Sequence, residues 1–369
     1  MSKMKMLVYG CGFNGFSQIA AFCFDDLKYK YERRGFNKHY KQTLPINLFE
    51  LKENDNLISL VNTWSQTAMT IKNNDTSTSY LNGFKCNDNN EDDSICTYTN
   101  QLVIASTDKD ILLKSYSNQL PFGIVANDNS SPQAVNIIGA ESLTLIAGDH
   151  LDFHAVYDGS KFGKLTISYT GDDNGQNGIY FIQKIINTRI LIKEVSCGKE
   201  HVLLLTNCGT LFSYGIGSRG QLGQSSVDTK KVPTLLDALN GIEIRKISAG
   251  GWHSTAISDV GDLYVWGWND CGQLGLAAYK ENVLTNVQTE PQYVHFSDEC
   301  CMKSVACGSR HTVILLDDGK VFASGWNCYG QLGLGHTEDQ KTFVPVTTLL
   351  YHCDQVFAGQ WNTFFVCQN

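Results

Sequence analysis

"VSCGKEHVLLLTNCGTLFSYGIGSRGQLG" (195–223), "ISAGGWHSTAISDVGDLYVWGWNDCGQLG" (247–275) and "VACGSRHTVILLDDGKVFASGWNCYGQLG" (305–333) are three copies of one pattern. Their recurring glycines, Gly198, Gly250 and Gly308, continue to Gly359 at intervals of 52, 58 and 51 residues. A period of this size, rich in glycine and aromatic residues, belongs to β-propeller blades, each of which buries its apolar faces only against its neighbours. Within the copies "HVLLLT" and "HTVILL" read as buried strands, "NCGT" and "DDGK" as hairpin turns, and "LYVWGW" as an aromatic strand. No stretch of the copies has a helical period.

The last copy, "QVFAGQWNTFFVCQN" from Gln355, is half a unit, and its complement stands at the other end of the chain. "MLVYGCGFNGFSQ" from Met6 aligns with "LFSYGIGSRGQLG" from Leu211, setting Gly10, Gly12 and Gly15 on Gly215, Gly217 and Gly220. A blade shared by both termini closes a ring and removes the open sheet edges that favour aggregation. The expected fold is therefore all-β: a single closed β-propeller spanning 1–369. Its clear repeats lie at 191–243, 244–301 and 302–352, and its split blade combines 353–369 with 5–16. Degenerate blades fill about 57–190, where "ISLVNTWSQTAMTI" from Ile58 resembles the start of the Ile247 copy. "IIGAESLTLIAGDHLDFHAVYDG" from Ile137 aligns without gaps on the copy at Ser196, setting Gly139 on Gly198 and Phe153 on Phe212. The count favours seven four-stranded blades, with six as the alternative. Polar stretches at 82–94 and 171–178 read as exposed loops, and 17–56, with its basic "KYKYERRGFNKHYK", as an insertion.

The chain carries 37 acidic and 29 basic side chains, a net charge of −8. A nucleic-acid-binding protein shows a basic patch or stripe, and the sequence shows none, so direct nucleic-acid binding is not expected. The 13 cysteines include no CxxC pair, and Cys197 and Cys307 alternate with Ala249 and Ala358 at one repeat position, which marks them as small buried thiols of a reducing compartment. No signal peptide and no apolar run of membrane-spanning length is visible, so a soluble intracellular protein is expected.

Individual residues take their meaning from the repeat. His201, His253 and His311 fill one position, with Asn362 in the fourth copy. A side chain recurring at the repeat period and replaceable by Asn is a hydrogen-bonding stitch, not a metal ligand or general base. Gly198, Gly250, Gly308 and Gly359 are likewise structural. In "HLDFH" (150–154), His150, Asp152 and His154 would share one face of an extended strand, as a two-His-one-carboxylate site requires, but the repeat alignment sets His150 on the turn residue Gly209. The glycines of "GIGSRG" lack the spacing and following helix of a phosphate loop. No catalytic residue, cofactor site or metal site is expected. Function is left to the positions that vary. The loop before the histidine position carries Lys199, Glu200, Trp252, Ser309, Arg310 and Trp361, with Trp64 matching in the degenerate first copy. Equivalent loops of a propeller converge on one face, where Trp and Arg are favoured interface anchors. The alternative is that each Trp packs over its adjacent loop, and the sequence leaves the two readings open. Trp266, inside a strand, is expected in the core.

The segments "GGWHS…GDLYVWGWNDCGQLG", "CGSRH…DDGKVFASGWNCYGQLG" and "AGQWNTFFV" resemble the repeats of the regulator of chromosome condensation family. The resemblance is strong over about 190–369 and 6–16 and weak between. It implies a seven-bladed propeller. The short length and the "VYGCGFNGFSQ" start are most similar to the small single-propeller members that associate with a JmjC-type histone demethylase. That implies a non-enzymatic adaptor, a nuclear and also cytoplasmic monomer in a hetero-complex, reaching histones through a JmjC-domain oxygenase, with no membrane partner. The alternative function within the family is guanine nucleotide exchange on a Ran-like small GTPase. No equivalent of the founding member's basic tail or exchange wedge is visible. A plant ultraviolet receptor of the family uses clustered interface Trp and Arg. Trp252 and Trp361 occupy comparable positions, but its dense Trp–Arg–His pattern is absent here.

Overall fold

The computed structural model describes the strands Met6–Phe13 and Lys41–Leu51, the strands between residues 55 and 186, and residues 191–276, 286–296 and 301–369. Side chains before residue 191 are described at 6–12, 42–45, 48 and 51. Trp64 and His150 lie outside the described residues, as do 14–40 and the loop segments 84–95 and 172–176.

The described strands form seven four-stranded antiparallel sheets, an all-β, β-propeller architecture. Each clear repeat supplies one sheet, its strands paired in chain order. The Ile192 sheet holds Ile192–Cys197, His201–Thr206, Leu211–Gly215 and Lys230–Leu235. The Ile244 sheet holds Ile244–Ala249, His253–Ser258, Leu263–Trp268 and Val287–Tyr293. The Met302 sheet holds Met302–Cys307, His311–Leu316, Val321–Gly325 and Gln340–Pro345. In a terminal sheet, His352–Ala358 pairs with Asn362–Gln368, which pairs with Met6–Phe13, which pairs with Lys41–Leu51. The upstream three sheets begin at Asp55–Asn62, Val103–Ala105 and Leu143–Asp149. The first strand of each sheet touches the first strand of the next, including His352–Ala358 against Asp55–Asn62 and Leu143–Asp149 against Ile192–Cys197.

Burial follows from this stacking. The second strands His201–Thr206, His253–Ser258 and His311–Leu316 are buried at every position, because a sheet covers each of their faces. Their near-continuous apolar sequences reflect that two-sided burial. The outer strand Lys230–Leu235 has no buried position and is exposed at Lys231 and Val232. The core lies between sheets. Leu203, Leu205 and Leu211 pack on Ile247, Ala249, Ala256 and Trp266 of the next sheet. Ile257, Leu263 and Val265 meet Met302, Val305 and Ile314. Val313, Leu315 and Ala323 meet Val356, Phe365 and Cys11 of the terminal sheet. Each interface buries several large side chains, and each such side chain is worth about 1.5–3 kcal/mol of transfer free energy.

Two sequence alignments and one expected insertion differ from the structure. In the terminal sheet Gly12, not Gly10, pairs with Asn362 in the way Gly215 pairs with His201. A two-residue shift preserves both the strand's facing pattern and a glycine at the key position, so periodicity could not separate the alternatives. With Gly12 on Gly325, the sequence "GFNGFSQ" (12–18) aligns with "GWNCYGQ" (325–331). The Ile137 alignment is offset by one strand. Leu143–Asp149 is the first strand of its sheet and Phe153 lies in the second, because successive apolar hairpins look alike in sequence. The segment 17–56, expected as an insertion, contains Lys41–Leu51, the outer strand of the terminal sheet.

Candidate partner-binding face

A bulged glycine at the end of each third strand builds one end of the sheets. Gly215, Gly267 and Gly325 have φ of +115°, +101° and +105°, and a Cβ on them would strike the carbonyl oxygen of Glu200, Trp252 and Arg310 respectively. The ladder register shifts at each of these glycines. The following N–H then donates to that same carbonyl: Ile216 to Glu200 at 2.8 Å, Trp268 to Trp252 at 2.9 Å, Trp326 to Arg310 at 2.8 Å. The residue before the histidine position and the residue after the bulge are thus fixed side by side.

Beneath them runs an inter-sheet relay. His201 Nε2 lies 2.8 Å from Ser254 Oγ, His253 Nε2 2.8 Å from Thr312 Oγ1, and His311 Nε2 3.0 Å from Thr363 Oγ1, each on the next sheet. Each hydroxyl donates back to a carbonyl: Ser254 to Gln221 at 2.8 Å, Thr312 to Gln273 at 2.6 Å, Thr363 to Gln331 at 2.6 Å. Because the hydroxyl proton is committed to a carbonyl, the ring must donate from Nε2 and its Nδ1 is bare. No hydrogen-bond partner reaches any of the three Nδ1 atoms among the described residues. Burial pushes all three imidazoles down to about 3, with His311 and His201 adding to the effect on His253. Neutral, enclosed and committed to a carbonyl relay, these rings hold sheets together. Gly198, Gly250 and Gly308 lie against them, where a Cβ would overlap the histidine Cε1. Backbone bonds lace the same loops, Lys199 N to Gly251 O at 3.1 Å and Ser309 N to Gln360 O at 2.9 Å.

Above this platform lies a ladder of cations and aromatic rings. Trp252 and Trp268 meet edge to face at 5.5 Å. The Arg219 guanidinium sits 3.8 Å from the Trp268 ring centre and 5.0 Å from that of Trp252. Arg310 covers Trp268 from the following sheet at 4.7 Å, and Lys199 covers Trp252 at 4.9 Å. Two carboxylates complete the set: Trp252 Nε1 donates to Glu200 at 3.1 Å, and Arg310 pairs with Asp270 at 3.6 Å. Contacts of this type contribute about 0.5–1 kcal/mol each when part-exposed. A second cluster follows, with Trp326 at 4.9 Å from Trp361 and 5.2 Å from Tyr329, all three rings steeply inclined to one another.

The structure brings Lys199, Glu200, Trp252 and Arg310 into the first cluster and Trp361 into the second. Ser309 is half-buried in the backbone lacing. Trp266 is fully buried. Arg219, Trp268, Asp270, Trp326 and Tyr329 belong to the clusters but not to the sequence-based set. Arg219, Asp270 and Tyr329 occupy varying positions of the turn that ends in Gly-Gln-Leu-Gly, and Trp268 and Trp326 directly follow the bulged glycines Gly267 and Gly325. Trp252 packs against Trp268 and the Glu200 carboxylate of the neighbouring loop and remains half-exposed.

The sequence model of the Regulator of chromosome condensation (RCC1) repeat matches residues 209–257, 260–315 and 318–366, and a second model of this repeat matches 244–273 and 302–331. RCC1 domain-containing protein 1 of Mus musculus is 33% identical over 208 residues, 47% of this chain and 55% of the relative. The Ultraviolet-B receptor UVR8 of Arabidopsis thaliana is 38% identical over 172 residues, 47% of this chain and 38% of that protein. The chain thus matches about half the length of the mouse relative and less of the plant one. The crystal structure of Prp20p from Saccharomyces cerevisiae superposes with a TM-score of 0.74 at 17% identity, covering 100% of this chain and 92% of Prp20p, a likeness of fold. Residues 209–366 thus match the RCC1 repeat, and the chain shares the β-propeller fold of Prp20p.

Proposed function

We propose that this chain is a non-enzymatic propeller adaptor that docks a partner protein on the face carrying the two clusters. The seven sheets close as seven blades of one ring, monomeric within a hetero-complex. The partner is a JmjC-type histone demethylase, through which the adaptor reaches histones in the nucleus. The observation that carries the docking reading is the ladder Lys199–Trp252–Arg219–Trp268–Arg310, half-exposed and bridging three sheets. Trp and Arg held rigid by their neighbours lose little conformational freedom on binding, which is why they dominate interface energetics. The choice of partner comes from the resemblance to small single-propeller members of the repeat family, supported by the similarity to RCC1 domain-containing protein 1.

Calorimetric titration of the purified chain with a JmjC oxygenase tests this. Wild type should bind, and Trp252→Ala combined with Arg310→Ala should weaken binding about tenfold or more. No binding by wild type, or equal binding by the double variant, would count against it. Acceleration of nucleotide release from a Ran-like GTPase by wild type would favour exchange activity instead.

A further inference from the structure

The turn before each Gln-Leu-Gly displays one side chain from a fixed backbone. Gln221, Gln273 and Gln331 are fully buried, and their Oε1 atoms accept the N–H of Arg219 at 2.8 Å, Cys271 at 3.0 Å and Tyr329 at 3.1 Å. The Gln221 carbonyl in turn accepts Ser254 Oγ at 2.8 Å and Trp266 Nε1 at 2.9 Å, so the backbone of Arg219 is tied to the buried platform. What the turn displays changes from repeat to repeat, from arginine to cysteine to tyrosine. The Arg219 guanidinium lies over two rings, 3.8 Å from the centre of Trp268 and 5.0 Å from that of Trp252. A guanidinium over an aromatic face keeps the N–H donors of its edge for a second partner, and that edge is a planar fork matched to a carboxylate. Arg219 is half-buried, so its charge is screened less than that of a fully exposed side chain.

The neighbouring donors show which group this cluster takes. Trp252 Nε1 donates to the Glu200 carboxylate at 3.1 Å, and Arg310 pairs with the Asp270 carboxylate at 3.6 Å. Arg219 touches both of the rings that these pairs flank. With Lys199 over Trp252 at 4.9 Å, the ladder holds Lys199, Arg219 and Arg310 against Glu200 and Asp270, a local positive excess in a chain of net charge −8. We infer that Arg219 is the receptor for a carboxylate side chain presented by an acidic segment of the docked partner. The partner's carboxylate offsets the excess, and because two rings already hold the fork, little side-chain freedom is lost when it docks. This inference rests on the docking proposed above and specifies the chemistry of the contact at its centre.

Indole 1H–15N resonances of the intact chain, assigned with Trp252→Phe and Trp268→Phe, provide the readout. The probe is the acidic peptide acetyl-Gly-Glu-Asp-Glu-Gly-amide, with the neutral acetyl-Gly-Gln-Asn-Gln-Gly-amide as control. The Trp252 and Trp268 signals should move saturably with the acidic peptide while that of buried Trp266 stays in place. The neutral peptide should bind about fivefold more weakly or worse. Arg219→Gln should weaken the acidic peptide about fivefold or more, with an unmoved Trp266 signal reporting an intact turn. Arg219→Lys keeps the charge and loses the fork, so its affinity should fall between those of wild type and Arg219→Gln. Lys320→Gln removes an exposed charge at an opposite hairpin turn and should leave the affinity unchanged. Absence of a saturable shift, equal binding of the neutral peptide, or equal binding by Arg219→Gln would overturn the inference. So would a loss with Lys320→Gln as large as with Arg219→Gln, or tighter binding of inorganic phosphate than of the acidic peptide. If the inference falls while wild type still captures its partner, the adaptor function stands without the carboxylate site. If wild type captures no partner while the acidic peptide binds through Arg219, the adaptor function falls and the site stands.

Discussion

Acidification from about pH 7.5 to about pH 5 should destabilise the propeller through His201, His253 and His311. Each ring is fully buried, donates from Nε2 to a hydroxyl of the next sheet and is held by burial at about 3, against an ordinary value of 6.5. The unfolded chain takes up these protons near 6.5 while the folded chain refuses them until near 3. Stability from this source is therefore complete above 6.5 and is lost progressively as the pH falls towards 3. At pH 5 the loss is about 2 kcal/mol per histidine and about 6 kcal/mol for three as an upper bound, a large part of the roughly 5–15 kcal/mol that stabilises an ordinary domain. Asn362 fills the same position without titrating, so His253→Asn is the informative substitution. It should remove about one proton from the uptake on unfolding, lowering the slope of stability against pH by about 1.4 kcal/mol per pH unit between pH 4 and 6. Urea unfolding of wild type and variant across that range measures the slopes, and their difference cancels the contribution of the carboxylates. Equal slopes would refute the assignment of a buried neutral imidazole.

Gly308→Ala should cost about 3 kcal/mol or more, because its Cβ would overlap His311 Cε1, and adding His311→Ala should recover part of that loss in thermal melts. Arg310→Ala removes a part-exposed ion pair with Asp270 and the cover over Trp268, so about 1 kcal/mol of stability should go, with a shift of the Trp268 indole resonance. Among the described cysteines, exposed Cys208 should react with a disulfide reagent faster than exposed Cys301, since the Thr206 and Thr210 hydroxyls hold the Cys208 thiol below its ordinary range. Cys11 and Cys307, buried thiols raised by desolvation, should stay unreactive until the protein unfolds.

The repeat was legible because its constant residues answer constraints that recur in every copy. Glycine is needed where φ is positive at Gly267 and Gly325, and histidine where a ring must reach the next sheet's hydroxyl. Those constraints act at fixed distances along the chain, so they leave a period. Register was less legible, as Gly10 and Gly12 show, since a shift by two residues leaves a strand's pattern intact. The site was half legible. Trp252 and Arg310 are varying letters beside a constant one, whereas Arg219 lies in a turn whose glycines account for its constant letters and Trp326 follows a bulged glycine. Their convergence depends on the bulge hydrogen bonds, such as Trp326 N–H to the Arg310 carbonyl, which join residues from different strands and leave no mark in local spacing.

The most direct test of the docking face is hydrogen–deuterium exchange on the chain bound to the JmjC oxygenase proposed as its partner. Protection should appear in 198–200, 216–220, 250–252, 268–272, 308–310, 326–330 and 359–361, with the opposite hairpin turns at 207–210, 259–262 and 317–320 unchanged. Protection confined to those hairpin turns or to the outer strands would contradict the assignment of this face.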